Sequence, residues 1–180
     1  WILGCGSMEK FKRFELAIQA VARLGKGSLL LLGQGELEDH YRRLGREALG
    51  DRFALASVPH ERIADYYRAA DLVTLPSHPE SFGMVYIEAM ACNKPVVATD
   101  DLNRRKIVGD GGLLIDPTSA AAYAAALDTC LKTDFGGRPR RQAEKFDWSQ
   151  VGPLYWKALE SAAAEKGRKG PFPVRRHMGD

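Results

Sequence analysis

Two glutamates eight residues apart, Glu80 and Glu88, frame the segment of this 180-residue chain richest in chemistry: Pro76-Ser77-His78-Pro79-Glu80-Ser81-Phe82-Gly83-Met84-Val85-Tyr86-Ile87-Glu88-Ala89-Met90. The pattern predicts a loop carrying Glu80, followed by a helix over residues 82–91. The first N–H groups of that helix, those of Phe82, Gly83 and Met84, have no partner within it. They sit at the positive end of the helix dipole, which suits phosphate oxygens. Gly83 lets a ligand come close to the backbone. Helical side chains lean towards the N-terminus, so Glu88 reaches back to one side of a phosphate bound there, while Glu80 reaches it from the loop. Carboxylates repel phosphate but accept hydrogen bonds from neutral hydroxyls. The pair therefore suits a ligand with a hydroxyl-bearing ring on each side of a diphosphate, such as a ribose and a sugar. The helix reads as apolar almost all round, which predicts that Glu88 is buried and needs a partner.

A second constellation opens the chain: Gly4-Cys5-Gly6-Ser7-Met8-Glu9-Lys10-Phe11-Lys12. The glycines allow backbone approach, and Lys12 at the end of the loop can place an ammonium on a diphosphate. The spacing does not make a dinucleotide fingerprint. Glu9 stands where its third glycine belongs, and Gln34 follows Gly33 where an acid would close the second strand. Gly25-Lys26-Gly27-Ser28 precedes a strand and lacks the strand–loop–helix setting of a P-loop. No Asp-x-Asp pair occurs and the four histidines are dispersed, so no metal ligand set is legible. His60 and His78 fall on the predicted ligand-facing edge. Arg138, Arg140 and Arg141 read as a solvated cluster, and Trp148 and Trp156 as packing residues.

These residues need a frame, and short apolar runs alternating with amphipathic stretches supply one. Residues 2–3, 29–32, 53–56, 72–75, 96–98 and 113–115 read as buried parallel strands bounded by Gly or Pro. Helices are expected at about 14–24, 36–47, 61–70, 82–91, 120–131 and 149–164. The predicted architecture is an open, doubly wound α/β sheet, in which ligands bind beyond the carboxyl ends of the strands. Composition agrees: 45% of residues are apolar and 27% charged. Cys5, Cys92 and Cys130 stand far apart and fit reduced thiols of a cytoplasmic protein. No run approaches the length of a membrane span.

The formal charge of +3 is unevenly placed. Residues 166–180 carry five basic residues and one acid, so the other 165 sum to −1. A nucleic-acid partner is therefore excluded as an expectation. The expected organisation is a domain over 1–165 and a basic, flexible tail over 166–180, with peripheral contact to an anionic membrane face as a secondary reading of the tail. Because the chain begins inside a strand-like run, it reads as a fragment of a longer protein.

At this point the sequence resembles the C-terminal domain of a GT-B glycosyltransferase, most closely glycosyltransferase family 4, from Gly6 to about Glu160. The resemblance rests on Gly6 through Lys12, Gly33-Gln34-Gly35, Ala70-Asp71-Leu72, Leu75-Pro76-Ser77 and Glu80-x7-Glu88 with Ala89-Met90-Ala91-Cys92. Pro95-Val96-Val97-Ala98-Thr99 and Gly112-Leu113-Leu114-Ile115-Asp116-Pro117 continue in the family's order.

The resemblance implies retaining, metal-independent transfer of a sugar from a nucleotide-diphosphate donor, with no cofactor. Glu80 would hold donor-sugar hydroxyls and Glu88 the ribose. Lys12 would stabilise the leaving diphosphate, and Phe82 to Val85 would meet sugar and phosphates through their amides. Gly33 and the Val58 region would lie against base and phosphates, with Gly6, Ser7 and Ser81 completing the donor-binding set. The acceptor (glycan, lipid or small molecule) would be met by an N-terminal domain that this chain lacks. Three positions depart from the family pattern: Ser7 where arginine is frequent, Asn93 for a glycine, and Lys106 where an acid is common. Two other classes share these features: a non-catalytic nucleotide- or partner-binding module, and a GT-B phosphorylase or sugar-nucleotide epimerase.

Overall fold

The structure is a computed structural model that describes residues 1–116 and 119–169. Among these, six four-residue strands form one parallel sheet: β1 (Ile2–Cys5), β2 (Leu29–Leu32), β3 (Phe53–Ala56), β4 (Leu72–Leu75), β5 (Val96–Thr99) and β6 (Gly112–Ile115). Their order is β3-β2-β1-β4-β5-β6. Ile2 pairs with Leu29 on one side and Leu72 on the other, and Val96 pairs with Val73 and Gly112. The strands read as unbroken apolar runs because both faces are covered: every residue of β1, β4 and β5 is buried.

The covering helices are α1 (Phe14–Leu24), α2 (Glu38–Leu49), α3 (Ile63–Ala69), α4 (Met84–Ala91), α5 (Leu102–Val108), α6 (Ala120–Lys132) and α7 (Arg138–Glu144). α1 packs on α2 and α6, and α4 packs on α3, α5 and α7. On α1 the apolar stripe Phe14, Ala17, Ile18 and Val21 is wholly buried, and α6 contributes Tyr123, Ala124, Leu127 and Cys130. The sheet order reverses between β1 and β4. In a doubly wound sheet the crevice outside the carboxyl ends at that reversal is where ligands bind.

Three expectations need correction. First, α4 starts at Met84 rather than Phe82. Gly83 holds φ 83°, a left-handed conformation that cannot continue a helix, and a Cβ there would lie 2.5 Å from the Tyr86 ring. Second, α5 and α7 were not anticipated. Arg138 and Arg140 on α7 are not simply solvated: Arg138 donates to the Phe135 and Asp134 carbonyls, and Arg140 to that of Ala91. Third, Trp148 and Trp156 are not packed in a core. They lie on α8 (Trp148–Lys169) and are 75% and 65% exposed.

The chain divides into two compact units, 1–144 and 145–180, whereas the sequence reading drew its boundary at 165. α8 runs on to Lys169, into the segment read as tail, and residues 170–180 lie outside the described residues. Among the described residues no helix is long and apolar enough to cross a membrane.

Candidate functional site

Beyond the carboxyl ends of β1, β2 and β3 lies a cleft of about 420 Å³. Its lining includes Cys5, Gly6, Ser7, Gly33, Val58 and Ile63. Two of its turns, at Gly6 and Gly33, are fixed by backbone contacts. The Gly6 N–H donates to the Leu32 carbonyl, and the Gly33 N–H to that of Ala56. Gly33 holds φ 149°, and a Cβ there would stand 1.9 Å from the Gly6 carbonyl oxygen. Only glycine lets these two turns cross so closely. Ser7, at one of the family-departing positions, donates its hydroxyl to Glu9 at 3.0 Å.

At the side of this cleft, buried Tyr67 on α3 donates its hydroxyl to Glu88 Oε2 at 2.8 Å. The Cys5 thiol at the end of β1 meets the same hydroxyl. Burial, with the charges of Cys5 and Glu88, pushes the Tyr67 phenol far above its ordinary range, so it stays a donor. Burial likewise pushes the Cys5 thiol up. Glu88 is half-buried rather than buried, because α4 leaves one flank exposed around Met84. The partner demanded for this acid exists, and it is a neutral phenol.

The second part of the site forms where the 76–83 loop meets the short helical turn Lys10–Lys12. Lys12 Nζ and Glu80 Oε2 are 2.7 Å apart, with side chains only 14% and 10% exposed. Ser77 donates to the same oxygen at 3.0 Å. Burial raises the Glu80 carboxyl, but the hydrogen bonds from Lys12 and Ser77 and the charges of Lys12 and Arg104 outweigh it, holding the group below its ordinary range.

The loop is tied down from several elements. Thr99 donates to the Ser77 carbonyl, Asn103 to that of Ser81, and Arg104 to that of Glu80, while the His78 N–H reaches the Phe11 carbonyl. The His78–Pro79 peptide is cis. The expected amide donors shift with the helix start: Met84 and Val85 open α4, and Tyr86 N–H already bonds the Gly83 carbonyl.

The structure thus places Gly6, Ser7, Gly33 and Val58 around the cleft, links Glu88 through Tyr67 to Cys5 of the cleft lining, and joins Lys12 directly to Glu80. Ser81 and Phe82 are exposed on the loop, and Met84 is exposed on the first turn. His60 and His78 are exposed and outside the cleft lining. Sequence reasoning missed Tyr67, Cys5 and Arg104. Arg104 was findable in part: Asp101 is an N-cap whose carboxylate accepts from the Asn103 and Arg104 N–H groups, and such a residue ahead of the Arg104, Ile107, Val108 spacing signals a helix. Asn93, another departure, takes φ 57° at the end of α4, a conformation that asparagine tolerates nearly as well as glycine. Among the described residues no three of His, Cys, Asp and Glu come together where they could hold a metal ion.

Residues 2–146 match the family described as glycosyl transferases group 1. The chain belongs to that family. Among curated relatives, the D-inositol 3-phosphate glycosyltransferase of Kineococcus radiotolerans is 40% identical over 129 residues, covering 61% of this chain and 30% of that protein. The enzyme of the same name from Pseudarthrobacter chlorophenolicus is 33% identical and covers 99% of this chain and 44% of its own length. The chain therefore spans less than half the length of these relatives. Among solved structures, sucrose-phosphate synthase from Thermosynechococcus elongatus superposes with a TM-score of 0.74 at 30% identity, covering 89% of this chain and 46% of that one. The pneumococcal O-GlcNAc transferase GtfA, solved with UDP and GlcNAc, gives 0.76 at 18% identity over 89% of this chain and 35% of that one, a likeness of fold. The α/β, Rossmann-like fold and membership of a glycosyltransferase family both stand on these observations.

Proposed function

We propose that this chain is the donor-binding half, the C-terminal half of a GT-B fold, of a retaining, metal-independent glycosyltransferase that uses a nucleotide-diphosphate sugar. The observation that carries this reading is the continuity of the site. Cys5 of the cleft lining meets the Tyr67 hydroxyl that donates to Glu88, and Gly6 of the same lining stands against Lys12, the partner of Glu80: a Cβ at Gly6 would lie 3.7 Å from Lys12 Cε. In this arrangement the base and ribose occupy the cleft, with Glu88 accepting from ribose hydroxyls. Lys12 and the Met84 and Val85 amides take the diphosphate, and Glu80 accepts from hydroxyls of the transferred sugar.

In the transfer, the bond between the sugar's anomeric carbon and the diphosphate oxygen breaks, and the oxygen leaves with the electron pair. The acceptor's hydroxyl oxygen forms the new bond and passes its proton to the departing diphosphate oxygen. Negative charge grows on the leaving diphosphate, so Lys12 and the α4 amides lower the barrier to the extent that they bind it better than the intact donor. The names of the relatives support a hydroxyl-bearing small molecule, such as an inositol phosphate, as acceptor. The three unpaired cysteines support a cytoplasmic setting. One observation favours a non-catalytic module instead: Ser7 and its partner Glu9 add no cation to the cleft.

The test is a thermal-shift screen against UDP, GDP, ADP and their sugar conjugates. A ligand at about 100 times its Kd adds roughly 2.7 kcal/mol, which for a chain of this size is a rise of roughly 5–10 °C. Response to one base, with sugar conjugate and diphosphate both active, is the expected result. Silence from a folded sample overturns the reading. Donor binding with no turnover when the chain is joined to its acceptor-binding half would select the non-catalytic module.

A further inference from the structure

Arg104 is a cation left only 2% exposed, and one of its N–H groups, Nε, has no partner among the described residues. Its Nη2 pairs with the Asp101 carboxylate and its Nη1 donates to the Glu80 carbonyl at 2.9 Å. Burying a guanidinium with an unmet donor is unfavourable unless the remaining contacts compensate. The contact that leaves α5 goes to the main chain of the residue proposed to hold the donor sugar.

Two cations therefore act on Glu80 from different elements: Lys12 directly on its carboxylate, and Arg104 from beneath its loop. The other groups around it are the Ser77 hydroxyl from the loop, the Tyr86 phenol of α4, which donates to the Leu75 carbonyl, and Asp101, the counter-acid of Arg104. Were a diphosphate to draw Lys12 away, Glu80 would keep only the neutral Ser77 hydroxyl as a direct donor while its side chain remained largely shielded from water. Desolvation then favours the protonated form, which has given up part of its capacity to accept.

We propose that Arg104 is a positioning residue that keeps Glu80 a carboxylate, with its oxygens free for sugar hydroxyls, after Lys12 has turned to the diphosphate. This rests on the donor-site reading above. It is consistent with the charge of Arg104 being among the influences that lower the Glu80 titration.

The experiment follows the side-chain carboxyl of Glu80 by 13C NMR during a pH titration of the full chain, with the signal assigned by its loss in Glu80→Gln. Lys12→Met stands in for a lysine drawn away and raises the Glu80 midpoint. Adding Arg104→Gln raises it by about one further pH unit, a tenfold change in proton affinity, whereas adding Arg104→Lys leaves it nearly where Lys12→Met put it. Arg104→Gln with Asp101→Asn removes both charges together; loss of the Asp101 carboxylate offsets part of the effect, so the further rise is smaller but in the same direction, and this variant covers the case in which the single variant fails to fold.

A midpoint that does not move in the folded Arg104→Gln variants overturns the proposal. So does one that moves as far with lysine, because the loop contact and not the charge would then be responsible. With UDP, GDP or ADP and the matching sugar conjugate, the preference of Arg104→Gln for conjugate over diphosphate falls as pH drops through the new midpoint. An unchanged preference also overturns the proposal. If Glu80 titrates as expected but none of these nucleotides binds the unaltered chain, the donor-site reading fails by itself.

Discussion

The two parts of the site hold their carboxylates in opposite ways. Glu88 accepts from one neutral phenol near a cleft shaped by the Gly6 and Gly33 turns, whereas Glu80 lies among Lys12, Ser77 and Arg104 on a loop pinned by side chains. The cleft owes its shape to crossings that only glycine permits, so it is present before any ligand arrives. The charged part owes its state to the hydrogen bonds that Lys12 and Ser77 give Glu80 and to the charges of Lys12 and Arg104. A rigid floor and an adjustable charge cluster within one crevice is the division of labour expected when one end of a ligand is only held and the other end reacts.

Four changes would break or sharpen this contrast. The largest effect is expected from Gly33→Ala, which drives a Cβ into the Gly6 carbonyl at 1.9 Å and imposes an unfavourable φ. It should cost about 3 kcal/mol or more, lowering Tm by roughly 6–12 °C, and should abolish nucleotide response in the thermal screen. Full stability would show that the cleft floor yields, and the contrast would collapse. Next, Lys12→Met should weaken nucleoside diphosphates by about 10- to 100-fold while leaving the free nucleoside within about twofold, as isothermal titration would show. Equal losses would remove Lys12 from the diphosphate.

Tyr67→Phe leaves Glu88 without its phenol and should weaken nucleotides by about fivefold, but not their 2′,3′-dideoxy analogues. The same loss for both would make Tyr67 a packing residue and take Glu88 away from the ribose. The smallest effect concerns acid. Because folding lowers the Glu80 titration from its ordinary 4.5, the ionised group contributes stability above that value, and this is lost as pH falls through the lower folded value. Stability of Lys12→Met should therefore fall less steeply with pH below about 4.5 than that of the unaltered chain, measured by denaturant unfolding. Parallel curves would mean that Lys12 does not set the ionisation of Glu80.

The fold was legible wherever a regular period meets a boundary residue. α1 appears over the predicted span because Phe14, Ala17, Ile18 and Val21 keep one face and Gly25 ends it, and the four-leucine run of β2 ends at Gly33 in the same way. α5 was hidden because its apolar stripe includes Arg104, a residue type that periodicity counts as exposed. α7 was hidden because Pro139 and three arginines read as surface, although Pro139, Gln142 and Ala143 are buried against neighbouring helices. The start of α4 was placed two residues early because a glycine's left-handed backbone leaves no trace in composition.

By itself, the sequence determined the order of the six strands and of every helix except α5 and α7, and it singled out the carboxyl edge and the candidates Gly6, Gly33, Lys12, Glu80 and Glu88. These depend on local pattern and spacing, which a chain carries whether or not it is folded. Only the tertiary structure decided that Lys12 and Glu80 meet, that Tyr67 and Glu88 meet across 21 residues, and that Arg104 lies beneath the Glu80 loop. Those pairings join residues on separate elements, and the protonation state of each carboxylate follows from neighbours and burial that exist only after the helices have packed on the sheet.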